Sequence, residues 1–274
     1  MSTAGGLYKA VERALRAGCD SLQVFVKNNK QWFANPPAAA DSERFTKDLK
    51  ASGIKKAFGH AGYLINLAGP ASPTRDNSVK SLIQEIQYAA QYGIPFLVLH
   101  PGAHLGLGEE KGIAQAIAGL DEVFAATADT PVRIALENTA GQGSCLGHKI
   151  AHLAAIFDGV ANPKRLGICL DTAHFFAAGY DIRQPKGWDS AVQEVDNLIG
   201  IREILSFHLN DSKTDLGSKV DRHDHIGKGK IGVQAFAHIV KDSRFANHPG
   251  CLETPKSDDL HEDIENLKVL RSLL

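Results

Sequence analysis

Twelve histidines occur in a chain of 274 residues that holds one methionine and two tryptophans, and several of them fall at the ends of apolar runs. FGH ends at His60, FLVLH at His100 and LSFH at His208, while RIALE ends at Glu137, GICLD at Asp171 and GCLE at Glu253. Imidazole and carboxylate donors suit Zn²⁺ or Mn²⁺. Taken singly, a His closing a strand is more often a hydrogen-bonded, partly buried residue than a ligand, and a Glu there is more often a cap or an ion-pair partner. Six such groups at one mouth are another matter, because without a cation they repel one another or go unpaired. Two motifs add donors. His174 follows Asp171 by three residues in DTAH, and Asp221 and His223 alternate in DRH, so an extended backbone turns both to one side. At three or four protein ligands per zinc, with carboxylates able to bridge, these nine candidates suggest three ions.

Convergence of those groups depends on the elements that carry them. Seven short apolar runs recur: Ser21–Val26, Ile54–His60, Pro95–His100, Val132–Glu137, Leu166–Asp171, Ile204–His208 and Gly250–Glu253. Each is too short for a helix and reads as a strand buried on both faces of a parallel sheet. Between them, Ser78–Tyr92, Ile113–Ala126 and Trp188–Ile199 show helical periodicity, and Leu7–Ala17 reads as an opening helix. The run ends recur every 34 to 45 residues, the period of a βα unit. No GxGxxG follows the first run, which favours a (β/α)8 barrel over a dinucleotide-binding sheet. In a parallel barrel all strand C-termini share one face, so the six strand-end groups meet there. The count is one strand short of eight, with the missing strand expected before Leu7–Ala17.

Two stretches read as loops: Phe33–Asp41, rich in Pro and Ala, and Asp211–Lys230, whose length implies function. His104 is expected to support ligands or face phosphate. His148 and His152 read as a surface helix pair, His225 as solvent-facing, and His238, His248 and His261 as ordinary surface residues.

Composition sets outer limits. With 43% hydrophobic and 22% charged residues the chain is of globular type, large enough for a core that needs no structural metal. A net charge of −1 gives no global field for nucleic acid, so any such binding must come from a local patch. The four cysteines, Cys19, Cys145, Cys169 and Cys251, form no CxxC and read as reduced thiols of a cytoplasmic protein. No run suits a membrane helix, and residues 1–6 lack a secretory signal pattern.

The motifs FVKNNKQW (25–32), HAGYLINLA (60–68), LHPG (99–102), ALENTAGQG (135–143), CLDTAHFFAAGYDI (169–182), HLNDSK (208–213), DRHDHIGKG (221–229) and LETP (252–255) span nearly the whole chain in order. On these the sequence resembles endonuclease IV, the zinc-dependent apurinic/apyrimidinic endonuclease family of base-excision repair. The resemblance implies a xylose-isomerase-like TIM barrel as one domain, 1–274. It implies three zinc ions, with Mn²⁺ an option at one site: one on His60, His100 and Glu137, a second sharing Glu137 with Asp171, His208 and Glu253, and a third on His174, Asp221 and His223. The implied reaction is hydrolysis of the phosphodiester 5′ to an abasic site, leaving a 3′-hydroxyl, with cleaning of blocked 3′ ends. A hydroxide held between the ions that Glu137 bridges is the nucleophile, with Glu137 or Glu253 assisting its deprotonation.

Lys30, Gln31 and Tyr63 match positions that wedge into damaged DNA, with Lys30 standing where the family more often has Arg. Trp32 is expected to pack as support. Phosphate contacts are expected from backbone amides and from Lys213, Arg222, Lys228 and Lys230. The partner implied is double-stranded DNA, met by a monomer at the bacterial nucleoid, or in a nucleus or mitochondrion if the source is eukaryotic. Family members begin with a strand and a Gly-x-His turn ahead of the STAGGL-like segment, which agrees with the strand count. Two other classes fit part of the pattern. Glu137, Asp171, His174, His208 and Glu253 alone would serve a divalent-metal sugar isomerase or epimerase, and a metal-stabilised DNA-binding module without catalysis would need only the cluster.

Overall fold

The computed structural model describes residues 1–274. Seven parallel strands form one curved sheet: β1 (Ser21–Val24), β2 (Lys56–His60), β3 (Phe96–Leu99), β4 (Arg133–Glu137), β5 (Leu166–Asp171), β6 (Ile204–His208) and, after a small antiparallel pair β7 (Asp211–Ser212) and β8 (His223–Asp224), the last strand β9 (Gly250–Cys251). Around it lie α1 (Tyr8–Ala17), α2 (Ala39–Ser52), α3 (Pro73–Gln91), α4 (Glu109–Ala126), α5 (Ile150–Gly159), α6 (Thr172–Ala178), α7 (Pro185–Leu198), α8 (Val233–Val240) and α9 (His261–Ser272). No helix is long and apolar enough to cross a membrane.

Alternation along the strands divides the core in two. Leu97, Leu99, Ile134, Leu136, Ile168 and Leu170 join 48 other buried residues between sheet and helices. Phe58, Phe96, Val98, Ala135 and Cys169 form a second cluster, in which the Phe58 and Phe96 rings stack at 4.9 Å. Burial of both faces explains why these strands read as unbroken apolar runs. The same inward alternation continues from Phe58 to His60, from Ala135 to Glu137 and from Cys169 to Asp171, so polar groups begin where the apolar plug ends.

The expected and observed boundaries differ for physical reasons. Helix α4 starts at Glu109, not Ile113, because its first turn is acidic and carries no apolar periodicity. Helix α3 starts at Pro73, where Ser72 accepts the Arg75 N–H, ahead of the apolar stripe that began at Ser78. Strand β9 pairs only at Gly250 and Cys251, so Glu253 extends past the ladder. The stretch Asp211–Lys230 is not wholly irregular, since β7 and β8 make a hairpin inside it. The Asp211 carboxylate then accepts N–H groups from Ser212, Gly227 and Ile231. A Cβ at Gly229 would collide with that carboxylate and with the Ser212 carbonyl, so this close approach needs glycine.

The barrel is open on one side. Strands β1 and β9 do not pair in the sheet order, and the cleft beside them, about 1430 Å³, is lined by Met1, Ser21, Gln23, His248, Gly250 and Glu253 among others. A side chain crosses the seam instead, Ser21 Oγ donating to the Gly250 carbonyl at 2.9 Å, while the Met1 ammonium donates to the Gln23 carbonyl of β1 at 2.7 Å.

Candidate metal centre

The nine donors named from the sequence converge on the C-terminal mouth of the barrel. Their ligand-type atoms fall into three groups, each within 4.8 Å: His60, His100 and Glu137; Glu137, Asp171, His208 and Glu253; and Asp171, His174 and His223. Asp221 joins the third, 3.2 Å from His174 Nε2 and 3.3 Å from His223 Nε2. Glu137 belongs to two groups and so does Asp171.

Hydrogen bonds at the back of each ring fix what the front presents. His60 Nδ1 lies 2.7 Å from the Ala61 carbonyl, His174 Nδ1 2.9 Å from the Asn138 carbonyl and His223 Nδ1 3.2 Å from the Glu253 carbonyl. A carbonyl only accepts, so each Nδ1 carries the proton and each neutral Nε2 presents a lone pair. The His60 Nε2 lone pair then faces Glu137 Oε2 at 3.4 Å, with His100 Nε2 3.1 Å from the same oxygen. That oxygen is buried and accepts no hydrogen bond. His174 and His223 point Nε2 at Nε2 across 3.4 Å. Lone pairs aimed at lone pairs are costly unless a cation or a proton lies between them. Donor separations of 3.1–3.4 Å also approximate the edge of a tetrahedron with bonds of about 2.0–2.1 Å, roughly 3.3 Å. The residues fit a metal cluster, of the hard-to-borderline kind that nitrogen and oxygen donors favour.

Without the cation, protons take its place. Burial alone would lower the pKa of His208, but Cys169, Glu253 and Glu137 outweigh it and hold the imidazole well above its ordinary value. His174 is raised likewise against burial, by Asp171, Asp221 and Glu137, and His60 by Glu137 and Glu253. Burial pushes the Glu137 carboxyl up, yet His208, His100 and His174 bring it well below the carboxylate range. Burial also opposes ionisation of Asp221, which His174 and His223 overcome.

Several supporting groups escaped the sequence reading. Asn210 donates Nδ2–H to Asp171 Oδ2 at 2.6 Å and accepts the Glu253 N–H at 2.7 Å. Asn138 accepts the Asp171 N–H at 2.7 Å, and Gln142 accepts the Asp221 N–H at 3.0 Å. Asp171 accepts the His174 N–H at 2.8 Å, capping α6. The signal was present in the ENTAGQG and HLND motifs, whose amides stand beside the ligands.

Beneath the mouth, Lys27 and Glu85 form a buried ion pair at 2.8 Å. Lys27 also donates to the Gln31 carbonyl and Glu85 accepts the Gly62 N–H, so the pair ties the 27–33 loop to the 60–66 loop. These loops carry Lys30, Gln31 and Tyr63, all exposed; Trp32 is half-buried. Tyr63 is 65% exposed, its ring set edge-on to Phe25. Apolar Leu64 and Leu105 are exposed as well. Lys213, Arg222, Lys228 and Lys230 are exposed along the Asp211–Lys230 stretch.

Three histidine expectations are corrected. His148 and His152 are no surface helix pair: His148 precedes α5, and His152 is buried. His225 is not solvent-facing, since Asn266 Nδ2 lies 3.0 Å from its Nδ1. His248 packs edge-on to Phe207 and Phe245 rather than standing on the surface. Glu109, His148 and His152 form a fourth cluster of ligand type. Gly147 N–H donates to His152 Nδ1, which places that ring's proton on Nε2, facing Glu109 at 3.1 Å. The Lys149 ammonium, with help from His152, holds the Glu109 carboxyl down to about 2. The arrangement is therefore a carboxylate already satisfied by protons.

Residues 11–273 match the family model described as a xylose-isomerase-like TIM barrel, the class that this fold and its ligand-lined mouth define. A protein of Chloroflexus aurantiacus named "Probable endonuclease 4" is 47% identical over all of this chain and 96% of its own length, and one of Geobacter sulfurreducens with the same name is 44% identical over all of this chain and 93% of its own. The crystal structure of endonuclease IV from Thermus thermophilus superposes with a TM-score of 0.87 at 32% identity, covering 100% of this chain and 96% of that one. The chain belongs to the endonuclease IV family. D-psicose 3-epimerase from Clostridium cellulolyticum, with a TM-score of 0.71 at 12% identity over 99% of this chain and 95% of its own, shares the fold alone.

Proposed function

We propose that this chain is a DNA repair endonuclease that hydrolyses the phosphodiester 5′ to an abasic site, leaves a 3′-hydroxyl and also cleans blocked 3′ ends. The single observation that carries the reading is the set of histidines whose back-side bonds aim lone pairs at carboxylates in three adjoining groups. His60, His100 and Glu137 would hold one zinc, Glu137, Asp171, His208 and Glu253 a second, and His174, Asp221 and His223 a third. When bound, such ions lower the pKa of water toward neutrality and neutralise charge on phosphate and leaving oxygen. The protein's own work is positional. Glu137, fully buried, bridges two groups and fixes their separation. Glu253, partly exposed beyond β9, is placed to accept a proton at the open side of the site. Lys30, Gln31 and Tyr63 would occupy the gap left by a flipped-out abasic nucleotide. Lys213, Arg222, Lys228 and Lys230 would meet backbone phosphates, supplying local positive charge on a chain of net charge −1.

The test is cleavage of a duplex carrying one abasic site, paired with elemental analysis. Incision 5′ to the lesion by protein holding about three zinc per chain, lost on prolonged chelation, is the expected result. One Mn²⁺ or Mg²⁺ and no incision would favour a sugar isomerase, for which Glu137, Asp171, His174, His208 and Glu253 alone would serve. Binding without incision would leave a DNA-binding module.

A further inference from the structure

We infer that Gln23, on β1, is a positioning residue for the metal centre: one side-chain amide sets both the tautomer of His208 and the orientation of Glu253. The inference rests on the metal reading above and assigns a role to a residue outside the nine proposed ligands. Gln23 Nε2 donates to Glu253 Oε1 at 2.7 Å, and Gln23 Oε1 lies 2.6 Å from His208 Nε2. The direction of the amide follows from its partners. An ionised carboxylate only accepts, so the NH₂ end must face Glu253 and the oxygen must face the imidazole. An oxygen facing Nε2 requires a proton there, which leaves the lone pair of His208 on Nδ1.

That nitrogen is the one inside the cluster, 2.8 Å from Glu137 Oε1 and 3.3 Å from Glu253 Oε2. Every other ring whose back-side bond is fixed by a carbonyl uses Nε2 as its inner atom. His208 is turned the opposite way round, and its outer nitrogen is held by Gln23 in place of a backbone carbonyl. The same amide occupies one oxygen of Glu253 and leaves Oε2 turned toward His208. Outer groups of this kind fix ring orientation and ligand basicity. Gln23 also stands at the open seam, where β1 and β9 share no ladder, so the amide is the side-chain link that carries β1 to the ligand beyond β9.

The experiment compares the full-length parent with Gln23→Leu, which keeps bulk and removes both bonds, and Gln23→Glu, which keeps an acceptor for His208. Zinc affinity is read by competition with a chelator, and the His208 Nε2–H by ¹⁵N-resolved proton NMR of zinc-loaded protein. In Gln23→Leu one zinc should bind about 10–100-fold more weakly, and the Nε2–H signal should vanish into solvent exchange. In Gln23→Glu that signal should persist. Parental zinc affinity with a persistent signal in Gln23→Leu overturns the inference, as does loss of the signal in a folded Gln23→Glu. A parent protein that takes up no zinc overturns the metal reading instead, so the two failures are told apart.

Discussion

Glu137 has no solvent exposure and stands within reach of His60, His100, His174 and His208. Replacing it with Gln keeps its shape and removes the charge that two ligand groups share. Incision of abasic duplex by Glu137→Gln should fall by about a thousandfold or more, several kcal/mol at ~1.4 kcal/mol per tenfold, while circular dichroism stays that of the parent. Wild-type turnover would remove the bridging role. The raised histidines give a second expectation. A His whose folded pKa is raised stabilises the fold below its unfolded value of about 6.5, and that contribution is lost as pH climbs through the folded value. Zinc-free protein should therefore lose stability toward alkaline pH as His60, His174 and His208 shed the protons that balance their carboxylates. Zinc competes with those protons, so the Tm difference between zinc-loaded and chelated protein should widen from about pH 6 to about pH 9. A constant difference would contradict it. At this scale the sequence was legible for donors, because His, Asp and Glu closing apolar runs are conspicuous. The amides of Gln23, Asn138 and Asn210 were not, since an uncharged side chain beside a ligand has no spacing rule of its own.

Elements were legible where burial imposes a pattern. Strands buried on both faces announce themselves as apolar runs, and the amphipathic middle of α3 did the same. Helices α2, α8 and α9 were not singled out, and α2 shows why: only Ser42 and Phe45 of its fourteen residues are buried, too few to set a period. The Lys27–Glu85 pair illustrates a contact invisible in one dimension, as it joins a loop after β1 to a helix 58 positions on. Lys27→Met would strip the buried Glu85 carboxyl, whose pKa burial already raises, of its cation and leave it to take a proton, a loss of about 1–3 kcal/mol in urea unfolding. The double variant Lys27→Met, Glu85→Leu should recover part of it, though Gly62 N–H then lacks its acceptor. A stability equal to the parent's in the single variant would show that the pair carries no structural weight.

For the whole molecule, the period of the strand ends foretold a barrel, and the count of seven left it one strand short of eight. The seam between β1 and β9 is the result, bridged by the Ser21 and Gln23 side chains rather than by a ladder. Strands bordered on one side only should open most readily. Amide hydrogen exchange should be fastest among the strands at β1 and β9 and slowest at β4 and β5, each of which pairs on both edges. Equal protection around the ring would show that the seam costs nothing. Donors drawn from His60 through to Glu253 have a consequence for timing. No fragment emerging during synthesis, and no remnant clipped short of Glu253, holds the complete set. On the proposed ligand set, the metal site is therefore complete only once the last strand has docked.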